Sequence, residues 1–523
     1  MDEMITPLSA FSVVVALAFM LCLAVGMHKD NAAEFFLAGR DLPFSRNTLA
    51  LSGDYINTTA LLSAIGASTL SGFDGMYAVV SFAVGLCLLL LVAEPLRTAG
   101  GFTLGDILEG RMPGPSTRIA AAVVTFVVTV PLAVIQLSVA GDATAYVLGW
   151  ERDGVAELCT VLMGLLIVMF AAFGGMHGVT MIQVGKMVLV FGVLLALTAA
   201  VARRADWDLG AVIDGAGEQG GGSNIFYAPG QLFGAGALGR LDLGLMALTI
   251  ALGSAMFPHV LMRINTFREP RQARRGTLYA LVGITVFAGA TVLVGLSSAA
   301  TVGSRTVVAE EPLGYWSLFM LTDHLSGGSG GGLLFTLVAC VVFLTALSTA
   351  SALILASAAA FAHDLYGKAK RQGEHSDERV VKMARWAIVS VGLLSVCLAV
   401  MFRGSNLVSL TVYVETTAAS TILPAVLYRL FWSGFTRQGL LVMLYGSLAS
   451  STVLQCLSTA VSGNPYSLLP AADFALLPLH NVAAVTIPLG FLLGWAGSRA
   501  SRRSSGTGVE SERGIPSRAS AAG

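Results

Sequence analysis

Along most of the chain, apolar and small residues run for twenty or so positions at a time, separated by short stretches that carry the charge. Thirteen such runs are legible, at about 7–27, 47–70, 75–96, 118–148, 154–173, 177–202, 241–263, 276–300, 331–362, 385–402, 404–430, 437–461 and 482–499. A helix needs roughly 17–25 apolar residues to cross the hydrocarbon layer. The pattern therefore predicts an all-α polytopic membrane protein with about thirteen transmembrane helices. The run 118–148 exceeds one crossing, and Pro131 near its middle predicts a kink.

One run is apolar at its ends and polar at its centre. The stretch LSGDYINTTALLSAIG places Gly53, Asp54, Tyr55, Asn57, Thr58 and Thr59 inside the second expected span. A carboxylate at that depth costs at least about 2.5–3.5 kcal/mol, so Asp54 requires a partner or a wet cavity. Gly53 lets the helix open, which frees carbonyls able to hold a cation. Asp54 is then expected to hold the opening by accepting bonds from exposed N–H groups. The plainer alternative is a polar contact between packed helices. In the ninth run, Thr345, Ser348 and Thr349 fall at i, i+3 and i+4 and share one helical face. That face suits either small-residue packing or a hard cation seeking oxygen ligands.

Composition narrows the class. Hydrophobic residues make up 55% and charged ones 12%, with a mean hydropathy of +0.77; about 25% charged is usual for soluble domains. The 59 glycines suit close helix packing in lipid. The six cysteines lack metal-ligand spacing and read as small buried hydrophobes. No G-x-x-x-x-G-K loop is present, which argues against an ATP-driven machine. No enzyme, cofactor or nucleic-acid partner is expected.

The basic residues orient the chain. With the N-terminus outside, Arg97, Arg111, Arg268, Arg274, Arg275, Lys382, Arg437 and most others fall on the cytoplasmic side, with the C-terminus. Only Arg152, Arg203, Arg204, Arg240, Arg305 and Arg403 fall outside, and Lys186 lies within the sixth span. The external loops 203–240 and 301–330 are expected to be partly ordered over the outer mouth. Residues 1–502 read as one transmembrane domain, and 503–523, rich in Ser, Gly and Arg, as a disordered cytoplasmic tail. The expected location is a bacterial inner or plasma membrane.

Six stretches carry a resemblance: FFLAGRDLP, SGDYINTTALLSAIG, SGFDGMYAVVSFAVG, FGGMHGVTMIQVGK, the PHVLMR…ARR block at 258–275, and AHDLYG at 362–367. In order and spacing the chain resembles the sodium:solute symporter family, and within it the acetate and monocarboxylate permease branch. Phe170 and Gly178 depart from the family's usual glycine signature. The resemblance implies a LeuT-like core of two inverted five-helix repeats, about 47–202 and 241–430, whose first helices take part in alternating access. It implies a cation where spans two and nine meet, held by the carbonyls of Gly53, Ile56 and Thr345 and the hydroxyls of Ser348 and Thr349. Acetate permeases can carry apolar residues at those two hydroxyl positions, so Ser and Thr favour sodium over a proton as coupling ion.

Some family members hold a second sodium through an aspartate in span six. Here Gln183 stands at that position, with Lys186 on the same face, a pair resembling that of the acetate branch. A second sodium is therefore not expected. Lys186 is either a coupling residue or a lysine snorkelling near a helix end. Glu415, where the resemblance implies an apolar residue, either pairs with a cation or faces the outer vestibule. Asp54, Tyr55, Asn57 and Thr58 complete the substrate-binding and coupling candidates. The implied function is symport of a small monocarboxylate, acetate foremost, with a cation across the lipid bilayer. The alternatives are another solute (pyruvate, propionate, proline or a sugar) or a non-transporting sensor with the same fold. Oligomeric state is left open.

Overall fold

The structure is a computed structural model that describes residues 31–149, 154–234, 236–327, 332–366, 377–464 and 467–512, with Ser9, 12–20 and Ala24 of the first run. The described residues are helical nearly throughout. The main elements are α1 (Phe44–Tyr55), α2 (Thr58–Ala99), α3 (Leu104–Glu109), α4 (Pro115–Leu148), α5 (Val155–Arg204), α6 (Gly236–Ser254) and α7 (Pro258–Ile264). They continue as α8 (Pro270–Thr301), α9 (Leu333–Ala359), α10 (Asp377–Met401), α11 (Leu407–Phe431), α12 (Arg437–Cys456) and α13 (Ala483–Glu512).

Among the described residues, nine helices are long and apolar enough to cross a membrane. Two are too long for one crossing. At 42 and 50 residues, α2 and α5 would measure about 63 and 75 Å at about 1.5 Å per residue, roughly twice the hydrocarbon thickness. The α2 path breaks at Ser71 and Gly72, where Gly72 takes φ +23°. Beyond it Gly75 lies on the backbone of Ala67 and Ser68, so the chain has turned back on itself. The α5 path breaks at Gly175, φ +49°. Each helix thus supplies two of the expected crossings. About half of the first run, 7–27, lies outside the described residues. The last helix continues to Glu512, into the stretch read as a tail, and 513–523 lie outside the described residues.

Local chemistry sets the helix ends. Prolines open α4, α7 and α8, where a missing N–H is harmless. Gly149 closes α4 in the left-handed region, donating to Ala145 and Tyr146. Pro131 sits within α4, as the sequence indicates.

Burial ranks the helices. The most apolar windows of α9 and α11 are each 78% buried and that of α4 is 72%, against 39% for α2, α10 and α12. The first three therefore form the centre of the bundle and the others face outward. Cys87, Cys397 and Cys456 are exposed rather than buried, because they sit on these outward faces; Cys159 and Cys340 are buried as expected. The loops 203–240 and 301–330, expected to be external, fold into short helices, Leu209–Gln219, Ser223–Phe226, Ser304–Glu310 and Ser317–Leu325. Asp74 ties down the stretch after the second of these helices by accepting from the backbone N–H groups of Gly230 and Leu232.

Candidate functional site

The second expected span is two helices. α1 ends at Tyr55, Ile56 takes a non-helical φ −85°, ψ 83°, and α2 begins at Thr58. The opening thus lies at Ile56 and Asn57, not at Gly53. Asn57 caps α2 through its side-chain oxygen on the N–H of Ala60 at 2.8 Å. Gln136, buried on α4, accepts from the Thr58 N–H at 3.0 Å and donates to the Thr59 hydroxyl at 2.9 Å. The freed N–H groups of Thr58 and Ala60 are therefore satisfied by Gln136 and Asn57, and Asp54 plays a different part from the one expected.

Asp54 pairs with Arg263 of α7. The Arg263 Nε donates to Asp54 Oδ2 at 2.7 Å, with both side chains 1% exposed. Gln183 Nε2 donates to the other carboxylate oxygen at 2.6 Å, and Arg263 also donates to the Thr180 hydroxyl at 2.6 Å. This is the partner that a carboxylate at membrane depth requires. Sequence reading had placed Arg263 among the cytoplasmic charges. The signal was its position at the end of an apolar run, directly after PHVLM, but nothing local linked it to Asp54.

Gly53 is needed for proximity rather than for the break. It lies inside α1, and a methyl group there would overlap Gln183 Oε1. Lys186 crosses from α5 to the same place and does not snorkel. It is 0% exposed, and its Nζ donates to the carbonyls of Gly53 at 2.6 Å and Ile56 at 2.8 Å.

The second repeat opens in the same manner. α6 stops at Ser254 and α7 starts at Pro258, so the expected run 241–263 is also broken. The two breaks meet, since α7 packs on α1, Tyr55 faces Ser254, and the Asp54 carbonyl faces His259.

α9 packs against α1 and α7, bringing Thr345, Ser348 and Thr349 into this core. All three are fully buried. Thr345 donates to Val341, and Ser348 to the Thr345 carbonyl at 3.2 Å. The Thr349 and Thr58 hydroxyls find no hydrogen-bond partner among the described residues. Glu415 adjoins the second break. It is buried on α11, where its backbone meets Gly253 of α6.

A separate network ties the start of α4 to the end of α9, and sequence reading missed it. Arg118, at the start of α4, pairs with Asp106 at 2.6 Å, Asp364 at 2.8 Å, and Glu109. Asp364 lies on the π-helical turn Ala360–Tyr366 that ends α9, where Thr103 also donates to it. Burial pushes the Asp106 carboxyl up, but His363, the Phe102 N–H and Arg118 outweigh burial and hold it well below the usual carboxylate range. Asp106, His363 and Asp364 lie close enough to share a cation, a place the Arg118 guanidinium already fills.

Comparison with known proteins places this architecture. The family model described as sodium:solute symporter family matches residues 35–446. A protein named monocarboxylic acid transporter, from Corynebacterium glutamicum, is 32% identical over 502 residues, covering 94% of this chain and 90% of the relative. An uncharacterized symporter, YwcA, from Bacillus subtilis, is 31% identical over 491 residues, covering 93% of each chain. Among solved structures, a sodium-coupled sialic acid symporter superposes with a TM-score of 0.72 at 13% identity, covering 95% of this chain and 98% of that one. A nucleobase-cation-symport-1 family transporter in a closed conformation gives 0.58 at 13% identity, covering 90% and 95%. The fold is the all-α, LeuT-like bundle that the sequence implies.

Proposed function

The chain belongs to the sodium:solute symporter family, and on that premise we propose that it imports a small monocarboxylate, acetate foremost, together with sodium. It is a multi-pass membrane protein and a secondary symporter. The finer reading of substrate and ion rests chiefly on the charge at the helix break. Arg263 and Lys186 both reach it, against the single carboxylate of Asp54. Surplus positive charge in a bundle core is costly, and a small anion is suited to neutralise it. Tyr55, Asn57 and Thr58 offer polar groups beside it, and these residues are buried, as a site for a two-carbon acid requires. The relative named for monocarboxylic acids supports the same class.

For the cation, the candidate ligands are the carbonyls of Gly53, Ile56 and Thr345 and the hydroxyls of Ser348 and Thr349. These are uncharged oxygens of the kind a hard monovalent ion takes. One sodium with one monocarboxylate moves no net charge, so uptake would follow the sodium concentration gradient. The proposed arrangement places the repeats at about 47–202 and 241–430, with the N-terminus outside. Uptake of labelled acetate into proteoliposomes tests the reading. Uptake should rise with an inward sodium gradient and fall with excess propionate or pyruvate. No acetate uptake, or uptake indifferent to sodium, would refute substrate or ion respectively.

A further inference from the structure

Two of the oxygens proposed to hold sodium are already engaged by a cation of the protein itself. Lys186 Nζ lies 2.6 Å from the Gly53 carbonyl and 2.8 Å from the Ile56 carbonyl. The lysine is 0% exposed, and it comes from α5, a different helix from the one that carries the strip of hydroxyls. These two carbonyls are available because α1 stops at Tyr55; in a continuous helix they would receive the N–H groups of Asn57 and Ala60. An ammonium group carries three donors and no acceptor, so two backbone carbonyls suit it well. A sodium ion seeks the same oxygens with the same single charge. Both cannot occupy the position together. Meanwhile the Thr349 hydroxyl, on the α9 side, is buried without a partner among the described residues.

We propose that Lys186 is a tethered competitor of the coupling cation, its ammonium holding the Gly53 and Ile56 carbonyls so that sodium binds there only once it has withdrawn. The inference rests on the cation-site reading given above and deepens it. Lys186 then sets the sodium affinity, because the site is competent only in the fraction of molecules whose ammonium has left. Asp54 and Arg263, the charges nearest to it, act on that fraction in opposite directions: Asp54 attracts the ammonium and Arg263 repels it. A sodium ion arriving at the carbonyls exchanges one positive charge for another, so the charge at the break is conserved only if the lysine stays within reach of Asp54 or of an anion bound nearby.

The test is sodium binding to purified full-length protein, measured by calorimetry or by radioactive sodium, for wild type and three variants. Lys186→Met removes the competitor while keeping an unbranched side chain. It should bind sodium about tenfold more tightly or better, as expected when the competent fraction is about a tenth or less. Lys186→Gln, neutral but still able to donate to the carbonyls, should also bind more tightly, and it carries the test if the methionine variant is not monodisperse. Lys186→Arg keeps a cation and should remain as weak as wild type. Adding Ser348→Ala and Thr349→Ala to Lys186→Met should abolish the gain. Unchanged or weaker sodium binding in both neutral variants would overturn the proposal and leave Lys186 as a structural cap on the broken helix. Acetate uptake by the wild type, measured in parallel, separates the two claims. Intact uptake with unaltered sodium affinity in the variants sinks only the role of Lys186, whereas absent uptake sinks the transport reading.

Discussion

The buried pair of Asp54 and Arg263 gives the sharpest quantitative expectation. Arg263→Ala removes the guanidinium 2.7 Å from Asp54 Oδ2, and at 1% exposure water does not replace it. Breaking a buried pair from one side costs about 3–5 kcal/mol. The lower end applies here, because Gln183 still donates to the carboxylate and Lys186 remains one residue away. Asp54→Ala belongs at the upper end, since it strands Arg263 with only the Thr180 hydroxyl and also leaves Gln183 Nε2 without its acceptor. Asp54→Asn is milder. Its amide oxygen accepts from Arg263, and its NH2 takes the place opposite Gln183 Nε2, so the Gln183 amide has to turn over and present Oε1, an atom without a partner among the described residues. The loss should be about 1–3 kcal/mol, with partial transport retained. The double variant Asp54→Ala/Arg263→Ala removes both charges and should cost less than the sum of the single changes by about 0.5–3 kcal/mol. Unfolding free energies of purified protein in mixed detergent measure the cycle, and sodium-dependent uptake in proteoliposomes measures function. Additive single changes would mean that the two groups do not act as a pair. Equal and near-complete loss in the asparagine and alanine variants would mean that the charge of Asp54, not its accepting oxygens, is what transport needs.

Other consequences are more direct. Ser348→Ala with Thr349→Ala should weaken sodium activation of uptake by roughly tenfold or more, the equivalent of about 1–3 kcal/mol, while expression and insertion are kept; unchanged activation removes the hydroxyls from the site. Gly53→Ala should impair transport because its methyl overlaps Gln183 Oε1, and adding Gln183→Ala should restore protein yield and part of the rate; failure to restore either would place the role of Gly53 elsewhere. Cysteine at Ser223 should react with an impermeant reagent from outside, and cysteine at Glu269, which is also exposed, only from the cytoplasm. Labelling of both from one side would overturn the orientation.

Much of this molecule was legible from one dimension of its sequence. Runs of about twenty apolar residues can only be spans, because lipid offers no partner for an exposed backbone and helices satisfy their own. Polar residues in the middle of such a run were therefore enough to mark 53–59 as the place where the bundle does something other than span. The hydroxyl face of Thr345, Ser348 and Thr349 followed from helical spacing alone. Tertiary structure decided the rest. It put the opening at Ile56 and Asn57 because Gln136, 78 residues away, satisfies the Thr58 N–H. It chose Arg263, 209 residues from Asp54, as the compensating charge. It brought Lys186 onto carbonyls 133 and 130 residues distant rather than to the membrane surface. A sequence shows that a buried charge must be compensated, since the cost depends on the group and its depth. Which residue compensates it depends on how helices far apart in the chain pack side by side, and no local pattern records that.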